Sequence, residues 1–208
     1  MRIDIWSDYV CPFCTIGEKH LSLALEKYDG DVEINWRSFE LDPTAPKEPT
    51  QTGVEHLVEK KGMQPAQVEQ MMEGLAQRAS AVGLDFNWKD QIMVNTYNAH
   101  RVGHLAREHG VGNEWDAAMK HAFFTEGKNV ASAETMKEVG EKIGLDGALI
   151  DDVLATDKYT ENVEEEINQA RQIGINGVPF FVFDGKLAVS GAQPPEVFTQ
   201  AIEQVQTM

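Results

Sequence analysis

The spacing of apolar residues at the start of the chain predicts a β-α-β unit. Ile3 to Trp6 reads as a short strand, and a helix follows from Pro12, since proline is tolerated at the first helical position. Apolar residues then recur at helical spacing until Asp29-Gly30-Asp31, which predicts the end of the helix. Val32 to Trp36 alternates apolar and polar side chains, as a half-buried strand does. We expect the two strands to be parallel because a helix connects them.

A helical region is predicted after this unit. The segment from Leu41 to Gln51 contains three prolines among polar residues and is expected to leave the sheet as a connection. Beyond it, apolar residues recur at helical spacing, interrupted by glycines and by capping residues. Residues from about 52 to 155 therefore read as an all-helical block. Its helices are predicted to begin near Val54, Pro65, Asn95, Asn113, Ser132 and Asp146.

Strands are predicted again near the end of the chain. Thr156 is expected to begin a long helix that ends at Gly174. Pro179 to Phe183 is an apolar strand, and Asp184-Gly185 is a two-residue hairpin signal. Leu187 to Val189 reads as the antiparallel partner of that strand.

The order of these elements predicts two domains. A last helix begins near Pro194-Pro195, so the chain reads βαβ, helical block, helix, ββα. Residues 1–51 and 156–208 would form one α/β domain, and residues 52–155 would be inserted into it as a helical domain. A chain of 208 residues with 42% hydrophobic content can bury a core of the size that this division needs.

The charge of the chain argues against two classes of partner. There are 18 Lys and Arg residues against 34 Asp and Glu residues, which gives a formal net charge of −16. Such a surface repels nucleic acid and anionic membranes, so neither is expected as a partner. No targeting segment is visible at the N-terminus, and no apolar stretch reaches the length that spans a bilayer. We therefore expect a cytoplasmic protein.

The candidate chemistry lies in the only two cysteines, which occur as Cys11-Pro12-Phe13-Cys14. Two thiols at this spacing can close into a disulfide and open again, which favours thiol–disulfide exchange. The predicted strand delivers them to the start of a helix, where free N–H groups and the positive end of the dipole stabilise a thiolate. We expect the N–H groups of Phe13 and Cys14 to bond the sulfur of Cys11.

Two other uses of the cysteine pair are open. A structural disulfide across two residues would close a small loop and stabilise the fold little. A zinc site would need two further ligands, and His100 and His104 are four residues apart on one predicted helix. Nothing in the sequence ties that helix to Cys11, and we expect no metal and no other bound cofactor.

Five short sequences carry a resemblance to a known family: Ser7 to Cys14, Phe39 to Pro43, Asn98 to Arg101, Gly177 to Phe181 and Ser190 to Gln193. They resemble the DsbA-like oxidoreductases, in particular the cytosolic FrnE-type branch. A CxxC after the first strand, together with Val178-Pro179 before the third, is specific to the thioredoxin fold. The resemblance spans nearly the full chain and implies an α/β thioredoxin fold with a large all-helical insertion.

The resemblance also implies roles for individual residues. Cys11 would be the exposed nucleophile that forms a mixed disulfide with substrate, and Cys14 would be the resolving thiol one turn deeper. Pro179 would be a cis-proline facing the disulfide, and Val178 would pair through its backbone with an extended substrate. The substrates would be thiol or disulfide proteins. Glutathione or a thioredoxin-type protein would be candidate partners for redox exchange.

Three further positions have open interpretations. His100 would either contact substrate over the active site or pack as a hydrogen-bonded histidine. Glu40 is either a buried carboxylate that helps to deprotonate Cys14 or a loop residue. Periplasmic DsbA proteins generally have a histidine between the cysteines, whereas Phe13 offers the thiolate neither charge nor hydrogen bond. We therefore expect a weaker oxidant.

A second enzymatic class shares the implied fold, namely the kappa-type glutathione transferases and the 2-hydroxychromene-2-carboxylate isomerases. In that class a serine typically takes the position of Cys11, so the intact CxxC argues against it. A binding module with incidental cysteines is the non-catalytic alternative. The sequence leaves the direction of electron flow, the substrate and the oligomeric state open.

Overall fold

The computed structural model describes all 208 residues as nine helices and one four-stranded sheet. The strands are β1 (Arg2–Ser7), β2 (Glu33–Ser38), β3 (Phe180–Phe183) and β4 (Leu187–Ser190). The helices are α1 (Pro12–Leu25), α2 (Gly53–Lys61), α3 (Pro65–Ser80), α4 (Tyr97–Glu108), α5 (Gly112–Phe124), α6 (Ala133–Lys142), α7 (Gly147–Ala155), α8 (Thr160–Gln172) and α9 (Pro195–Gln206). None of these helices has the length and apolar composition that crossing a membrane requires.

The sheet has the order β2-β1-β3-β4 and joins the two ends of the chain. β1 pairs in parallel with β2 and antiparallel with β3, and β3 pairs antiparallel with β4. The predicted β-α-β unit and the predicted hairpin are both confirmed. Asp184 and Gly185 have positive φ angles of 47° and 67°, which suits the tight hairpin between β3 and β4. This topology, with helices α2 to α7 between β2 and α8, confirms the expected thioredoxin fold with a helical insertion.

One predicted helix boundary is wrong. The helix after α7 begins at Thr160 and not at Thr156, and Tyr159 just before it has a φ of 61°. The hydroxyl of Thr156 donates to the carbonyl oxygen of Asp152 in α7 at 2.6 Å. The carbonyl oxygen of Thr156 accepts a hydrogen bond from the guanidinium of Arg101 in α4. Thr156 is therefore hydrogen-bonded to both α7 and α4, and the chain turns before α8 begins.

Apolar side chains form two main cores. A core of 11 buried residues joins the sheet to α1 and α9, and the rings of Phe181 and Phe198 meet edge to face at its centre. A core of 22 buried residues lies among α3 to α7 and also takes in Tyr9, Val10 and Ile16. The helices therefore pack directly against the segment that carries the cysteines. The division at 51/52 and 155/156 into two domains stays a prediction.

A buried carboxylate ties α8 to the rest of the fold. Glu166 accepts a hydrogen bond from the backbone N–H of Ser38 in β2 at 2.7 Å, and it contacts His104 at 3.2 Å and Arg107 at 3.0 Å in α4. Burial alone would raise the pKa of Glu166, but His104 and Arg107 hold it well below its usual range. The carboxylate therefore stays charged and links β2, α4 and α8.

Candidate active site

The cysteine pair lies where β1 leads into α1. Cys11 is the N-cap residue of α1, and Pro12 takes the first helical position. The backbone N–H of Cys11 donates to the carbonyl oxygen of Asp8 at 3.2 Å, and that of Cys14 donates to the carbonyl oxygen of Cys11 at 3.0 Å. Both cysteines are free thiols. These contacts place the two thiols within the first turn of the helix.

Cys11 is less accessible than the resemblance implies, and the expectation of an exposed nucleophile is wrong. Cys11 is 2% exposed and Cys14 is 0% exposed. The thiol of Cys11 donates to the carbonyl oxygen of Val178 at 3.5 Å, so the loop before β3 covers it. The expected N–H bonds to this sulfur are not formed, since its side chain caps no helical N–H group. Cys11 nevertheless lines a groove on the surface of the protein.

Val178 and Pro179 face the cysteines from the loop before β3. The peptide bond between them is cis. A Cβ atom added to Gly17 in α1 would lie 3.0 Å from Cγ of Pro179, so a glycine at this position permits the loop to approach the helix. The carbonyl oxygen of Pro179 accepts from the backbone N–H of Gly191 at 2.8 Å, which joins the loop to the end of β4. The fold thus brings the Cys11 thiol and the Val178 carbonyl together across 167 residues of sequence.

An apolar groove of about 530 Å³ opens beside Cys11. The residues of α2, α3 and the intervening loops that line it are mostly apolar, and Phe13, Leu41 and Met71 are each about 45% exposed there. Arg78 is the only charged side chain in its lining. Methionine side chains adapt to irregular apolar partners, and two more of them line the groove. This surface suits an extended segment with apolar side chains.

A cluster of charged residues, in which Asp116 and Lys120 are buried and Glu18 is partly buried, lies near Cys14. Glu18 follows Cys14 by four residues, which places both side chains on the same face of the helix. The carboxylate of Glu18 contacts the ammonium of Lys120 in α5 and accepts from the hydroxyl of Ser7 at 2.9 Å. Lys120 also contacts Asp116 at 2.6 Å. The cluster therefore joins α1 to α5 of the helical region.

Burial changes the proton affinity of each group in this cluster. It raises the pKa of Glu18 to about 8, against the opposing effect of the charge on Lys120. Burial also raises the pKa of Asp116, and it raises the pKa of Cys14 well above its usual value. Burial alone would lower the pKa of Lys120, but the two carboxylates raise it instead. Lys120 is therefore charged, and it acts to lower the pKa of the Cys14 thiol.

Sequence reasoning missed Glu18, Asp116 and Lys120. Two signals were available, because Glu18 has the helical spacing to Cys14, and Asp116 and Lys120 have the same spacing to each other in a helix of mostly apolar residues. The sequence gives no signal for the contact between α1 and α5, because Glu18 and Lys120 are 102 residues apart.

Glu40 was predicted as a possible proton acceptor for Cys14, and the structure places it elsewhere. Its carboxylate accepts from the side-chain amide of Asn95 at 2.9 Å, and burial raises its pKa. The neighbouring groups that shift the pKa of Cys14 are the Cys11 thiol, Lys120 and Glu18. Glu18 is therefore the carboxylate beside Cys14.

The structure does not bring His100 into the groove. His100 is 4% exposed, and its ring packs on Tyr9 with the ring centroids 4.7 Å apart. Its Nε2 atom lies 3.4 Å from a carboxylate oxygen of Asp8, and neither of these two atoms has a hydrogen-bond partner. His104, the other candidate zinc ligand, contacts Glu166. Neither histidine joins the cysteines, and a substrate contact by His100 stays a prediction that this geometry does not favour.

The sequence of this chain matches a known family and a known protein. A family model of the DSBA-like thioredoxin domain matches residues 2–203. A protein of Bacillus subtilis (strain 168), described as the uncharacterized protein YwbO, is 28% identical to this chain over 211 residues, which cover 99% of this chain and 98% of that protein. The match therefore includes the cysteine segment, the helical region and the loop before β3.

Solved structures share the fold. A crystal structure of the probable DsbA oxidoreductase SCO1869 from Streptomyces coelicolor has a TM-score of 0.95 and 37% identity, covering 100% of this chain and 90% of that chain. The cytosolic disulfide reductase DsbM from Pseudomonas aeruginosa, solved with GSH, has a TM-score of 0.70 and 16% identity, covering 100% of both chains. At that identity the second likeness shows the fold alone.

Proposed function

The chain belongs to the family of DSBA-like thioredoxin domains, and we propose that its activity is protein dithiol–disulfide exchange through Cys11 and Cys14. The observation that carries the proposal is the position of the Cys11 sulfur. It lies at the N-terminus of α1, 3.5 Å from the carbonyl oxygen of Val178 and at the wall of an apolar groove. A substrate disulfide in the groove would meet this sulfur and the backbone of Val178 at the same time.

The exchange has two steps. The Cys11 thiolate attacks one sulfur of a substrate disulfide, the substrate S–S bond breaks, and the electron pair leaves on the second substrate sulfur. The Cys14 thiolate then attacks the Cys11 sulfur of the mixed disulfide, so that a Cys11–Cys14 bond forms and the remaining substrate thiolate is released. Oxidation of a substrate dithiol follows the same steps in reverse.

Loss of the Cys11 proton also frees a backbone hydrogen-bond acceptor for substrate. In the thiol form, the carbonyl oxygen of Val178 accepts the S–H of Cys11. When the thiol loses its proton, this acceptor becomes available to a backbone N–H of an extended substrate. Substrate binding and thiol activation are therefore linked at Val178.

The groove favours a protein segment as substrate. Its lining is mostly apolar, with Arg78 as the only charged side chain, so it suits a segment with apolar side chains beside the reactive cysteine. Glutathione or a thioredoxin-type protein would exchange electrons with the Cys11–Cys14 pair, and the protein needs no bound cofactor for this chemistry. Likeness to a cytosolic reductase solved with GSH supports glutathione as a partner and a cytoplasmic location.

Reduction of insulin by dithiothreitol tests the proposal. The wild-type protein should accelerate the precipitation of reduced insulin chains. Cys11→Ser should leave only the uncatalysed rate, because the attacking sulfur is gone, and Cys14→Ser should be arrested as a mixed disulfide. Thermal unfolding of each variant verifies that it is folded. Wild-type turnover by folded Cys11→Ser would refute the proposal.

A glutathione-dependent transferase or isomerase is the second candidate. Likeness in fold to a 2-hydroxychromene-2-carboxylate isomerase, with a TM-score of 0.70 and 16% identity, favours it. The two candidates differ in what they require of position 11. A serine typically occupies that position in the transferase and isomerase class, so Cys11→Ser should keep glutathione conjugation if the second candidate is right. Loss of both insulin reduction and conjugation in this variant would favour dithiol–disulfide exchange.

A further inference from the structure

Resting on the proposed exchange reaction, we infer that the groove beside Cys11 selects extended protein segments that carry an acidic side chain close to their disulfide. Arg78 binds the substrate carboxylate, and Gln91 donates a hydrogen bond to the substrate backbone. Gly74 leaves room for that backbone on the surface of α3. The inference therefore names a substrate class and gives roles to three residues outside the redox pair.

One face of α3 forms a wall of the groove. Met71, Gly74, Leu75 and Arg78 follow one another at the spacing that places residues on the same side of a helix. All four line the groove that Cys11 also lines, and Arg78 belongs to the last turn of the helix. A segment that lies in the groove therefore meets apolar side chains and one guanidinium.

Arg78 is the only arginine of the chain whose guanidinium is unpaired. The guanidinium groups of the other five arginines all donate hydrogen bonds, and these residues are Arg2, Arg37, Arg101, Arg107 and Arg171. No Asp or Glu residue lines the groove with Arg78. A guanidinium presents its donors in a planar fork that fits a carboxylate. The groove therefore has a binding partner for a carboxylate that the protein itself does not supply.

The net charge of the protein makes this preference depend on position. The chain has a formal net charge of −16, so its field repels an acidic substrate at most places on the surface. A carboxylate gains only where the bound segment brings it to Arg78. Acidic residues at other positions of the same segment should bring no gain or slow its reaction. This position dependence distinguishes a bound segment from general charge attraction.

Gln91 holds a buried donor that has no partner. The residue is 5% exposed and lines the groove, and its Nε2 atom makes no hydrogen bond. Its backbone is held in place, because its carbonyl oxygen accepts from the N–H of Gly53 at 2.8 Å. Rotation about its last side-chain bond, which has a broad range, can turn the donor toward the groove. Since buried amides are nearly always hydrogen-bonded, we expect a backbone carbonyl of the substrate to accept from it.

Gly74 leaves empty space in the wall of the groove. A Cβ atom added at this position would have no heavy atom within 4 Å. The residue lies inside α3, where glycine is less favourable than alanine. No packing contact in the protein therefore requires a glycine here. The space suits the close approach of a substrate backbone to the helix.

Reduction of disulfide-linked peptide dimers tests the inference. Each short peptide has a central cysteine among apolar residues, and its oxidation gives a symmetrical dimer in which the two sulfurs are equivalent. The reduced protein converts the dimer to two peptide thiols and becomes oxidised at Cys11 and Cys14. A single glutamate is moved through the other positions of the peptide, with glutamine at the same position as the neutral reference. Each rate constant is divided by that for hydroxyethyl disulfide, a small uncharged disulfide, which corrects for changes at the sulfurs.

The wild-type protein should prefer glutamate to glutamine by about five-fold at one position or at two adjacent ones. This factor corresponds to about 1 kcal/mol, the upper value for an exposed ion pair. At the other positions glutamate should react at the same rate as glutamine or more slowly. High salt should reduce the preference, because it screens the interaction between exposed charges.

Substitutions of Arg78 test its role directly. Arg78→Gln should abolish the preference, with the glutamate peptide slowed to the rate of the glutamine peptide. Arg78→Glu should reverse it, so that a peptide with lysine at the same position reacts fastest. Lys186→Gln is the matched control, since it removes an exposed positive charge in the turn between β3 and β4, outside the groove. This control should keep the preference of the wild-type protein.

Two more variants test the other residues. Gln91→Met removes the donor at similar size and should slow every peptide by about five-fold, whichever side chain the peptide carries. Gly74→Ala fills the space in the groove and should also slow every peptide. Both variants should be at least as stable as the wild-type protein in thermal unfolding, because a buried donor without a partner and a glycine inside a helix each lower stability. A lower rate without lower stability is not expected of residues that serve only the fold.

The outcomes distinguish this inference from the proposed function. If the exchange reaction itself is wrong, the wild-type protein reduces neither the peptides nor hydroxyethyl disulfide at a rate that depends on Cys11. If only the inference is wrong, both are reduced, but glutamate gives no preference at any position or folded Arg78→Gln keeps it. An effect of Arg78→Gln that is confined to oxidised glutathione would assign the arginine to that smaller ligand and would also overturn the inference.

Discussion

Gly17 of α1 lies so close to Pro179 that a Cβ atom at position 17 would be 3.0 Å from Cγ of the proline. The same Cβ would lie 3.2 Å from Cα of Ala192 and 3.3 Å from the ring of Phe181. The helix that begins at the cysteines therefore packs against the loop that carries Val178 with no room for a side chain. Val178, which precedes this proline, has its carbonyl oxygen 3.5 Å from the Cys11 sulfur.

The first prediction is that Gly17→Ala displaces that loop. Inserting a methyl group into a packed site costs about 1–3 kcal/mol of stability. Because the displaced residue is Pro179, we also expect the kcat/KM of insulin reduction to fall by about ten-fold, as a small misplacement of a positioning group can cost more than that. Insulin-reduction assays at a temperature well below the Tm measure this effect on the folded protein.

Gly140→Ala is the matched control. Gly140 lies within α6, and a Cβ there would meet the terminal methyl of Ile150 in the helical core. This variant should change the stability but not the kcat/KM of the folded protein. Equal losses of kcat/KM in the two variants would contradict a specific role for the contact between Gly17 and Pro179.

The second prediction concerns the residue between the cysteines. Phe13→His places a side chain that can be positively charged beside the Cys11 thiolate, which stabilises the reduced form of the pair. One pKa unit of stabilisation is about 1.4 kcal/mol, so the reduction potential should rise by about 30 mV. Equilibrium with glutathione buffers measures the potential.

Phe13→Asn is the control for this substitution, since it removes the aromatic ring without adding a positive charge. Phe13 is about 45% exposed, so neither change should cost much stability. An unchanged or lower potential in Phe13→His, or an equal rise in Phe13→Asn, would show that the charge at this position does not set the oxidising strength.

The third prediction is that Glu166→Gln lowers stability at neutral pH more than in acid. The pKa of Glu166 in the folded protein is well below its ordinary value of 4.5, so its contribution to stability is present above about pH 4.5 and is lost as the pH falls toward the lower pKa. Breaking a buried charge pair from one side costs about 3–5 kcal/mol. Urea unfolding at neutral pH and at about pH 3 compares the two proteins, and a constant difference between them would contradict this account.

The fourth prediction concerns the groove. Met71→Asp places a negative charge in its apolar wall, which should raise the KM for insulin while leaving the rate of a small aromatic disulfide nearly unchanged. Ile173→Asp introduces the same charge at an apolar side chain that is 57% exposed outside the groove, and it should have no effect. Equal effects of the two variants on KM would exclude the groove as the site that binds protein substrates.

Several elements were predictable because their signals are local. The sequence Asp184-Gly185 predicted a hairpin turn, and Ser132 and Asp146 were predicted to begin helices that they do cap in the structure. The start of α8 was missed, since Tyr159 adopts a positive φ that its own sequence does not favour. Its hydroxyl contacts Glu108 and its ring stacks on His104, both distant in sequence. Distant contacts therefore decide this boundary.

In the candidate site, too, the features with local signals were predictable and those that depend on distant contacts were not. The spacing of Cys11 and Cys14 identified the reactive pair, because that chemistry is contained in four consecutive residues. The cover over Cys11 depends on where the loop with Val178 docks, and the environment of Cys14 depends on the register of α1 against α5. Neither the packing of the loop nor the register of the helices can be obtained from periodicity, which is why the burial of Cys11 and the contact of Glu18 with Lys120 were not predicted.

The most direct test of dithiol–disulfide exchange is to trap its intermediate. Cys14→Ser should react with a peptide disulfide to give one peptide thiol per chain, bound at Cys11, as measured by intact mass and by mapping of the modified residue. Cys11→Ser should remain unmodified under the same conditions, because Cys14 is fully buried. A stable mixed disulfide at Cys11 is the predicted result. Absence of an adduct on folded Cys14→Ser would contradict the account.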